Sequence, residues 1–228
     1  MTAKQQFLQF SSPLAHDYRM WVHHTGTATA SAKVAIWLQE GGFLWLNSSC
    51  AAGKSHLLHA LAQEYDEFCR VEASKKRLEP VQQVAAWLNT LQCYQYWAVD
   101  VYPNQISAST GLALFHLIER AKEAKRPLLI AWRCKNEDLQ PDELASRMRM
   151  MEQVTINAPE SDTDLARVLK ATAQQLSWDI PDGVIKVMLQ HLPRDLNTQI
   201  EALHRLEAAS LEERARLTQV WAKKKLNI

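Results

Sequence analysis

The sequence lacks the cysteine patterns of disulfide-stabilised and zinc-binding proteins. Its four cysteines include no C-x-x-C pair, and none lies at zinc-ligand spacing from a histidine. Cysteines placed in this way are typical of reduced thiols in a cytoplasmic protein. The N-terminus has no charged segment followed by an apolar one, and no apolar run approaches the roughly 20 residues that span a bilayer. We therefore expect a cytoplasmic protein with no membrane partner.

The sequence also has almost no net charge. Its 26 basic and 25 acidic residues leave a formal charge of +1 at pH 7, so no overall field attracts the protein to nucleic acid. The chain has 228 residues, of which 47% are hydrophobic and 22% charged, and this is the composition of an ordinary globular protein. The length suits one large domain, or a core domain with a small appendage.

Apolar strand patterns alternate with helical patterns through the middle of the chain. Strands are predicted over 43–46, 69–74, 96–100, 127–132 and 154–156, with a helix between each pair. This alternation predicts an α/β fold with a five-stranded parallel sheet that helices cover on both faces. After Pro159 only helical patterns follow, which predicts a small all-helical subdomain. The predicted organisation is an arm over 1–27, an α/β core over 28–158 and the helical subdomain over 159–228.

A phosphate-binding loop is predicted directly after the first strand. Residues 48–55 read SSCAAGKS and match the P-loop consensus G-x-x-x-x-G-K-[ST] at the last three positions, whereas Ser48 replaces the first glycine. Backbone N–H groups at the start of the following helix would bind phosphate together with Lys54, and the Ser55 hydroxyl would hold Mg²⁺. Serine is tolerated at the first position only if its backbone is not left-handed. The predicted nucleotide-binding residues of this segment are Ser48, Ala52, Gly53, Lys54, Ser55 and His56.

Two features needed for ATP hydrolysis are missing at the ends of the predicted strands. Asp100 ends the third strand, where an acid that organises Mg²⁺ belongs, but Val101 stands where a second acid would polarise the attacking water. The fourth strand ends in Trp132 and Arg133 and not in a small polar residue that senses the γ-phosphate. We therefore expect bound ADP or ATP, with Mg²⁺ held by Ser55 and Asp100, but no efficient autonomous ATPase.

Several of these segments together resemble one family of AAA+ proteins. Residues 43–61 are similar to the P-loop region of the DnaA replication initiator and of its shorter homologue Hda, the regulatory inactivator of DnaA. Residues 144–148 (LASRM) resemble the box that carries the arginine finger of these proteins, and residues 194–196 (RDL) resemble their sensor-2 motif. The resemblance implies a P-loop AAA+ domain with a helical lid, in which Arg147 is an arginine finger acting in trans and Arg194 binds nucleotide.

The resemblance to Hda extends to the N-terminal arm, where that family carries a clamp-binding peptide of the form Q-L-S-L-P-L. Gln9, Phe10 and Leu14 lie in the matching segment QFSSPL, although Ser12 stands where the family has leucine. The overlapping segment QQFLQF over 5–10 fits the broader clamp pattern Q-x-x-L-x-F. Either register places a glutamine and apolar anchors in a groove of the DNA polymerase sliding clamp. An arm with no clamp contact is the alternative.

The resemblance to the Hda family implies that the protein regulates replication initiation. The clamp would hold the protein while it promotes hydrolysis of ATP bound to its partner DnaA, and AAA+ surfaces also permit self-association. Nothing in the sequence matches the C-terminal helix-turn-helix domain of DnaA, so sequence-specific DNA binding is not expected. Two alternatives stay open. A helicase-loader-like ATPase is disfavoured by Val101 and the low net charge, whereas a nucleotide-free adaptor is favoured by Ser48 and Ala51.

Overall fold

The computed structural model describes residues 21–73, 78–102 and 106–228. The predicted clamp-binding residues Gln9, Phe10 and Leu14 lie outside these ranges. Five strands alternate with helices in the first part of the chain: β1 (Phe43–Asn47), β2 (Phe68–Ala73), β3 (Tyr96–Val101), β4 (Leu128–Trp132) and β5 (Glu152–Thr155).

Five of the helices accompany these strands, and the first of them starts earlier than predicted. They are α1 (Thr25–Glu40), α2 (Lys54–Glu64), α3 (Pro80–Leu91), α4 (Ala108–Glu123) and α5 (Asp142–Met150). A capping box explains the start of α1, because the His24 side chain accepts a hydrogen bond from the backbone of Gly26 and Thr27 Oγ1 accepts one from the backbone N–H of His24. Residues 25–27, which we predicted to be part of the arm, are therefore helical.

All five strands pair in parallel, in the order β2-β3-β4-β1-β5. The predicted α/β class with a five-stranded parallel sheet is thus confirmed. Because β4 lies between β1 and β3, the carboxyl ends of these three strands meet at the same edge of the sheet. In the register, Ala131 of β4 is level with Leu46 on one side and with Asp100 on the other.

Both faces of the sheet are buried under helices. One face carries Trp45, Val99 and Trp132 into a cluster with α3, α4 and α5, and the other carries Leu44, Leu46 and Leu129 into a cluster with α1 and α2. Trp45 and Trp132 are each 1% exposed, and the Trp45 indole donates a hydrogen bond to the Trp132 carbonyl over 3.1 Å. Burial of these large side chains on both faces supplies the main stabilisation of the sheet.

The last part of the chain is helical and has its own apolar core. Its helices are α6 (Asp162–Gln175), α7 (Asp182–His191), α8 (Leu196–Glu213) and α9 (Gln219–Leu226). A separate buried cluster includes Leu169, Val184, Met188, Leu203 and Leu206. No helix among the described residues is long and apolar enough to cross a membrane.

Candidate functional site

The loop between β1 and α2 has the backbone geometry of an anion-binding turn. Gly53 is the N-cap residue of α2 and has φ 83° and ψ 19°, a left-handed conformation that favours glycine. Because the N-cap residue is glycine, no side-chain hydrogen bond from it caps the N–H groups of the first turn of α2. The N–H groups of this turn, together with the positive end of the helix dipole, form a local environment suited to phosphate.

Ser48 fits the first position of this loop without backbone strain. It is 5% exposed, and it is not among the described residues that have a left-handed backbone. Its N–H donates to Asn47 Oδ1 over 2.8 Å, and its hydroxyl accepts a hydrogen bond from the Lys54 ammonium. The serine that replaces the first P-loop glycine therefore holds the side chain of the P-loop lysine.

Asp100 lies beside this loop and is hydrogen-bonded to the side chain of Ser55. The carboxylate is 6% exposed, and Arg70 Nη1 lies 3.7 Å from its Oδ2. Burial raises the pKa of Asp100, while the hydrogen bond from Ser55 and the charges of Arg70 and Lys54 act in the opposite direction. A carboxylate beside a hydroxyl fits Mg²⁺, which is commonly held by one or two protein oxygens and by substrate phosphates.

A cavity of about 370 Å³ lies between this loop and the helical part of the chain. Its volume falls within the range of roughly 300–1,000 Å³ that is usual for small-molecule sites. Of the predicted nucleotide-binding residues, six line this cavity together with the P-loop residues Cys50 and Ala51: Ala52, Gly53, Lys54, Ser55, His56 and Asp100. Asp100 is its only carboxylate among the described residues. Ser48 lies behind Lys54 and does not line the cavity.

The opposite wall comes from one face of α6 and one face of α8. Residues at helical spacing on these faces line the cavity: Val168, Ala171, Thr172 and Gln175 of α6, with Leu196, Asn197, Ile200 and His204 of α8. Asp195 caps α8 by accepting a hydrogen bond from the backbone N–H of Thr198 over 2.8 Å. This cap fixes the first turn of α8, which directs Asn197 to the cavity.

Arg194, which the resemblance to the sensor-2 motif assigns to nucleotide binding, does not line the cavity. Its Nη2 lies 2.8 Å from Asp162 Oδ1 at the start of α6, and its side chain is 65% exposed. The polar residue that lines the cavity from this region is Asn197, three residues further along the chain, next to the apolar Leu196. A role for Arg194 in nucleotide binding stays a prediction.

The segment before α1 supplies cavity residues that sequence reasoning missed. Val22 and His24 line the cavity, and the ring of the neighbouring Trp21 stacks on His56 with centroids 5.5 Å apart. Burial lowers the pKa of His24, which agrees with its unprotonated Nδ1 accepting a hydrogen bond from Gly26 over 3.2 Å. The sequence held no clear signal for these residues, because the capping box of His24 and Thr27 departs from the usual S/T-x-x-E/Q pattern.

Lys54 has a pKa of about 8 in the folded protein, compared with an ordinary value of 10.5. Burial is the main cause and the positive charge of Arg133 is the second, whereas Asp100 acts in the opposite direction. The unfolded chain binds more protons than the folded one between these two pKa values. The contribution of Lys54 to the free energy of unfolding therefore rises as the pH increases from about 8 to 10.5.

This lowered pKa predicts that binding of ADP is accompanied by proton uptake. At about pH 8.5 the phosphates are fully ionised, and their charge raises the pKa of Lys54 so that the ammonium forms. Calorimetric titrations in two buffers of different ionisation enthalpy measure this uptake. The uptake should shrink toward about pH 7, where Lys54 is already largely protonated. Equal binding enthalpies in both buffers at the higher pH would contradict the prediction.

Arg147 lies on α5, away from the cavity of its own chain. Its Nε lies 2.5 Å from Glu119 Oε1 on α4, and its guanidinium lies 5.6 Å from the centre of the Phe115 ring. The contact with Arg147 holds the pKa of Glu119 below its usual range. Arg149 on the same helix is exposed. Arg147 is not among the residues that line the cavity, and its role as a finger in trans stays a prediction.

The helical part of the chain matches a known family. Residues 162–226 match the family model described as "Hda, lid domain". An uncharacterised protein of Haemophilus influenzae is 27% identical over 190 residues, which cover 82% of this chain and 82% of that protein. The matched family residues comprise α6 to α9.

Solved structures share the whole architecture. Domain III of the replication initiation protein DnaA from Thermotoga maritima has a TM-score of 0.74 and 13% identity, over 93% of this chain and 95% of that domain. DnaA from Aquifex aeolicus bound to AMPPCP has a TM-score of 0.59 and 16% identity, over 90% of this chain and 71% of that one. The likeness in fold therefore extends over nearly the whole chain.

Proposed function

We propose that this chain is a DnaA-related AAA+ protein that binds ADP or ATP and regulates replication initiation by acting on DnaA. The match of residues 162–226 to the Hda lid-domain model and the likeness in fold to DnaA support this proposal. One observation carries the proposal. Lys54, Ser55 and Asp100 meet on one wall of a nucleotide-sized cavity, and the opposite wall is the Hda-type lid. A ligand in this cavity touches both parts of the chain.

The bound nucleotide has a structural role in this proposal. The first turn of α2 and Lys54 would hold its phosphates, and the faces of α6 and α8 that line the cavity would contact the remainder of the nucleotide. Binding energy gained on both walls then favours one orientation of the lid relative to the core. Ser55 and Asp100 would hold Mg²⁺, whose charge would offset that of the phosphates.

Arg147 is proposed to act on the nucleotide of a neighbouring DnaA molecule. No residue of α5 lines the cavity of its own chain, and the guanidinium of Arg147 forms an ion pair with Glu119. An arginine supplied in trans stabilises the charge that develops on the transferred phosphoryl group. Docking on DnaA would exchange the Glu119 contact for this one. The N-terminal arm, through Gln9, Phe10 and Leu14, is proposed to attach the protein to the sliding clamp.

The experiment that tests this function measures a single turnover of ATP bound to purified DnaA. The full-length chain and DNA-loaded sliding clamp are added together, and phosphate release is followed over time. Faster hydrolysis that requires both the chain and the clamp supports the proposal. Deletion of residues 1–14 should abolish the acceleration that the clamp supports. Unchanged hydrolysis by DnaA in the presence of both would contradict it.

The protein alone is expected to release phosphate from ATP no faster than background. Asp100 is the only carboxylate that lines the cavity among the described residues, and Val101 at the next position is 4% exposed in the apolar core. Within the described ranges, no second carboxylate is therefore placed to polarise the attacking water. Steady-state phosphate release well above background that disappears in Lys54→Ala would contradict this expectation and favour a loader-like ATPase.

A nucleotide-free adaptor is the second candidate, and one contact favours it. The ammonium of Lys54 donates to the Ser48 hydroxyl inside the loop, so the phosphate-binding cation already has a partner in the protein. In that case the AAA+ surfaces serve only to bind other proteins. Titration with ADP separates the two candidates, because only the nucleotide-binding regulator produces a saturable binding signal.

A further inference from the structure

We propose that Arg133 is the second phosphate-binding cation of this cavity, so that the core, and not the lid, supplies both positive charges that face the nucleotide. This inference rests on the proposed binding of ADP or ATP. Arg133 follows β4 and lines the cavity beside the P-loop. The sequence places Arg133 at the end of the fourth strand but does not show whether its side chain faces a nucleotide, and its neighbour Trp132 is buried in the core.

The backbone on both sides of Arg133 is held by side chains of β1. The Trp45 indole donates to the Trp132 carbonyl over 3.1 Å. Asn47 Nδ2 donates to the Cys134 carbonyl over 3.0 Å, and Asn47 Oδ1 accepts from the Cys134 N–H over 3.3 Å. Arg133 is thus fixed between two anchored residues, at the point where the chain leaves the sheet. Such anchoring places a side chain reproducibly and reduces the entropy lost on binding.

The same asparagine also connects this loop to the P-loop. Asn47 Oδ1 accepts a hydrogen bond from the N–H of Ser48 over 2.8 Å, so one side chain ties the start of the P-loop to the residue after Arg133. In the register of the sheet, Ala131 is level with both Leu46 and Asp100. Arg133 consequently emerges between the phosphate-binding loop and the acid of β3, where the phosphates of a bound nucleotide lie.

The charge of Arg133 acts on both walls of the cavity. Its positive charge helps to lower the pKa of Lys54 on the P-loop, and it also helps to lower the pKa of Asp195 at the start of α8. The charged side chains that line the cavity among the described residues are Lys54, Arg133 and Asp100, which are two cations and one anion. Two cations close together in a partly buried site repel each other, and a bound phosphate relieves that repulsion.

The lid offers no cation to the cavity among the described residues. Its lining side chains on α6 and α8 are apolar or neutral, apart from His204. Arg194 is instead paired with Asp162 at the surface. Phosphate binding would then depend little on the lid, and ADP and ATP should hold the lid in the same orientation.

The test is a set of calorimetric titrations of ADP and ATP into the full-length chain. Arg133→Gln should weaken both affinities by roughly 10- to 100-fold, the effect expected when a charged hydrogen bond to phosphate is removed. Arg133→Lys should recover part of the loss, because it keeps the charge but not the planar fork. The affinity of the wild type should also fall more steeply with added NaCl than that of Arg133→Gln, which a purely structural role would not produce.

Two further variants complete the design. Arg120→Ala, at an exposed arginine paired with Glu123, is the matched control and should bind as the wild type does. Arg194→Ala should weaken binding less than Arg133→Gln. The proposal is overturned if Arg133→Gln binds like the wild type, or if the loss in Arg194→Ala is the larger one. A wild type that binds neither nucleotide overturns the proposed function itself.

Discussion

Substitution Arg147→Ala is expected to abolish the acceleration of DnaA ATP hydrolysis. The guanidinium is the only group that the proposed mechanism delivers to the phosphoryl group of the partner. A finger in trans contributes roughly 10³- to 10⁵-fold where it operates, so the rate should return to that of DnaA alone. Single-turnover hydrolysis in the presence of the clamp measures the effect. The nucleotide affinity of the variant should match the wild type, because Arg147 does not line the cavity. Its melting temperature should change little, because the ion pair with Glu119 that it loses is partly exposed.

Three matched variants separate the finger from docking or folding effects. Arg147→Lys should recover little, because lysine lacks the planar fork. Arg149→Ala, at the exposed arginine on the same helix, should keep full acceleration. Glu119→Gln should also keep it, since this variant removes the intramolecular partner of Arg147. Equal acceleration by the wild type and Arg147→Ala would show that any effect on DnaA comes from docking alone.

The second large effect is expected for Lys54→Ala, which should remove stabilisation by nucleotide. At an ADP concentration about 100 times the dissociation constant, binding stabilises the wild type by about 2.7 kcal/mol. For a chain of this size the melting temperature should rise by roughly 5–10 °C. Lys54→Ala deletes the ammonium that faces the phosphate, so its melting temperature should stay constant as ADP is added. Differential scanning fluorimetry at millimolar ADP measures both.

The melting temperature without ADP serves as an internal check. Burial and the charge of Arg133 disfavour the Lys54 ammonium in the free protein, so Lys54→Ala should not lower that temperature. Lys186→Ala, at an exposed lysine of α7, is the control and should shift with ADP as the wild type does. A shift of the same size in Lys54→Ala and the wild type would remove Lys54 from the site.

Features encoded locally were predictable from the sequence. The strand and helix patterns indicated the parallel sheet, since apolar runs such as 128–132 are fully buried in it. The GKS motif lies between a strand and a helix, as such loops do, and Gly53 has the left-handed backbone that the motif requires. These features depend on residues close together in the sequence, and they need no knowledge of distant contacts.

Features that depend on long-range packing were not predictable. The position of Arg133 is set by Trp45 and Asn47, which lie 80 and more residues earlier in the chain. The choice between Arg194 and Asn197 as the residue that faces the cavity depends on the rotation of α8 and on the contact of Arg194 with Asp162. A three-residue motif does not determine either of these.

The most direct test of the central claim is a crystal structure of the full-length chain grown with millimolar ADP. We expect ADP between the P-loop and the lid, with its β-phosphate on the first turn of α2 and within hydrogen-bonding distance of Lys54. Helices α6 and α8 should contact the remainder of the nucleotide. A structure in which this cavity contains no nucleotide, or in which ADP binds elsewhere, would contradict the account.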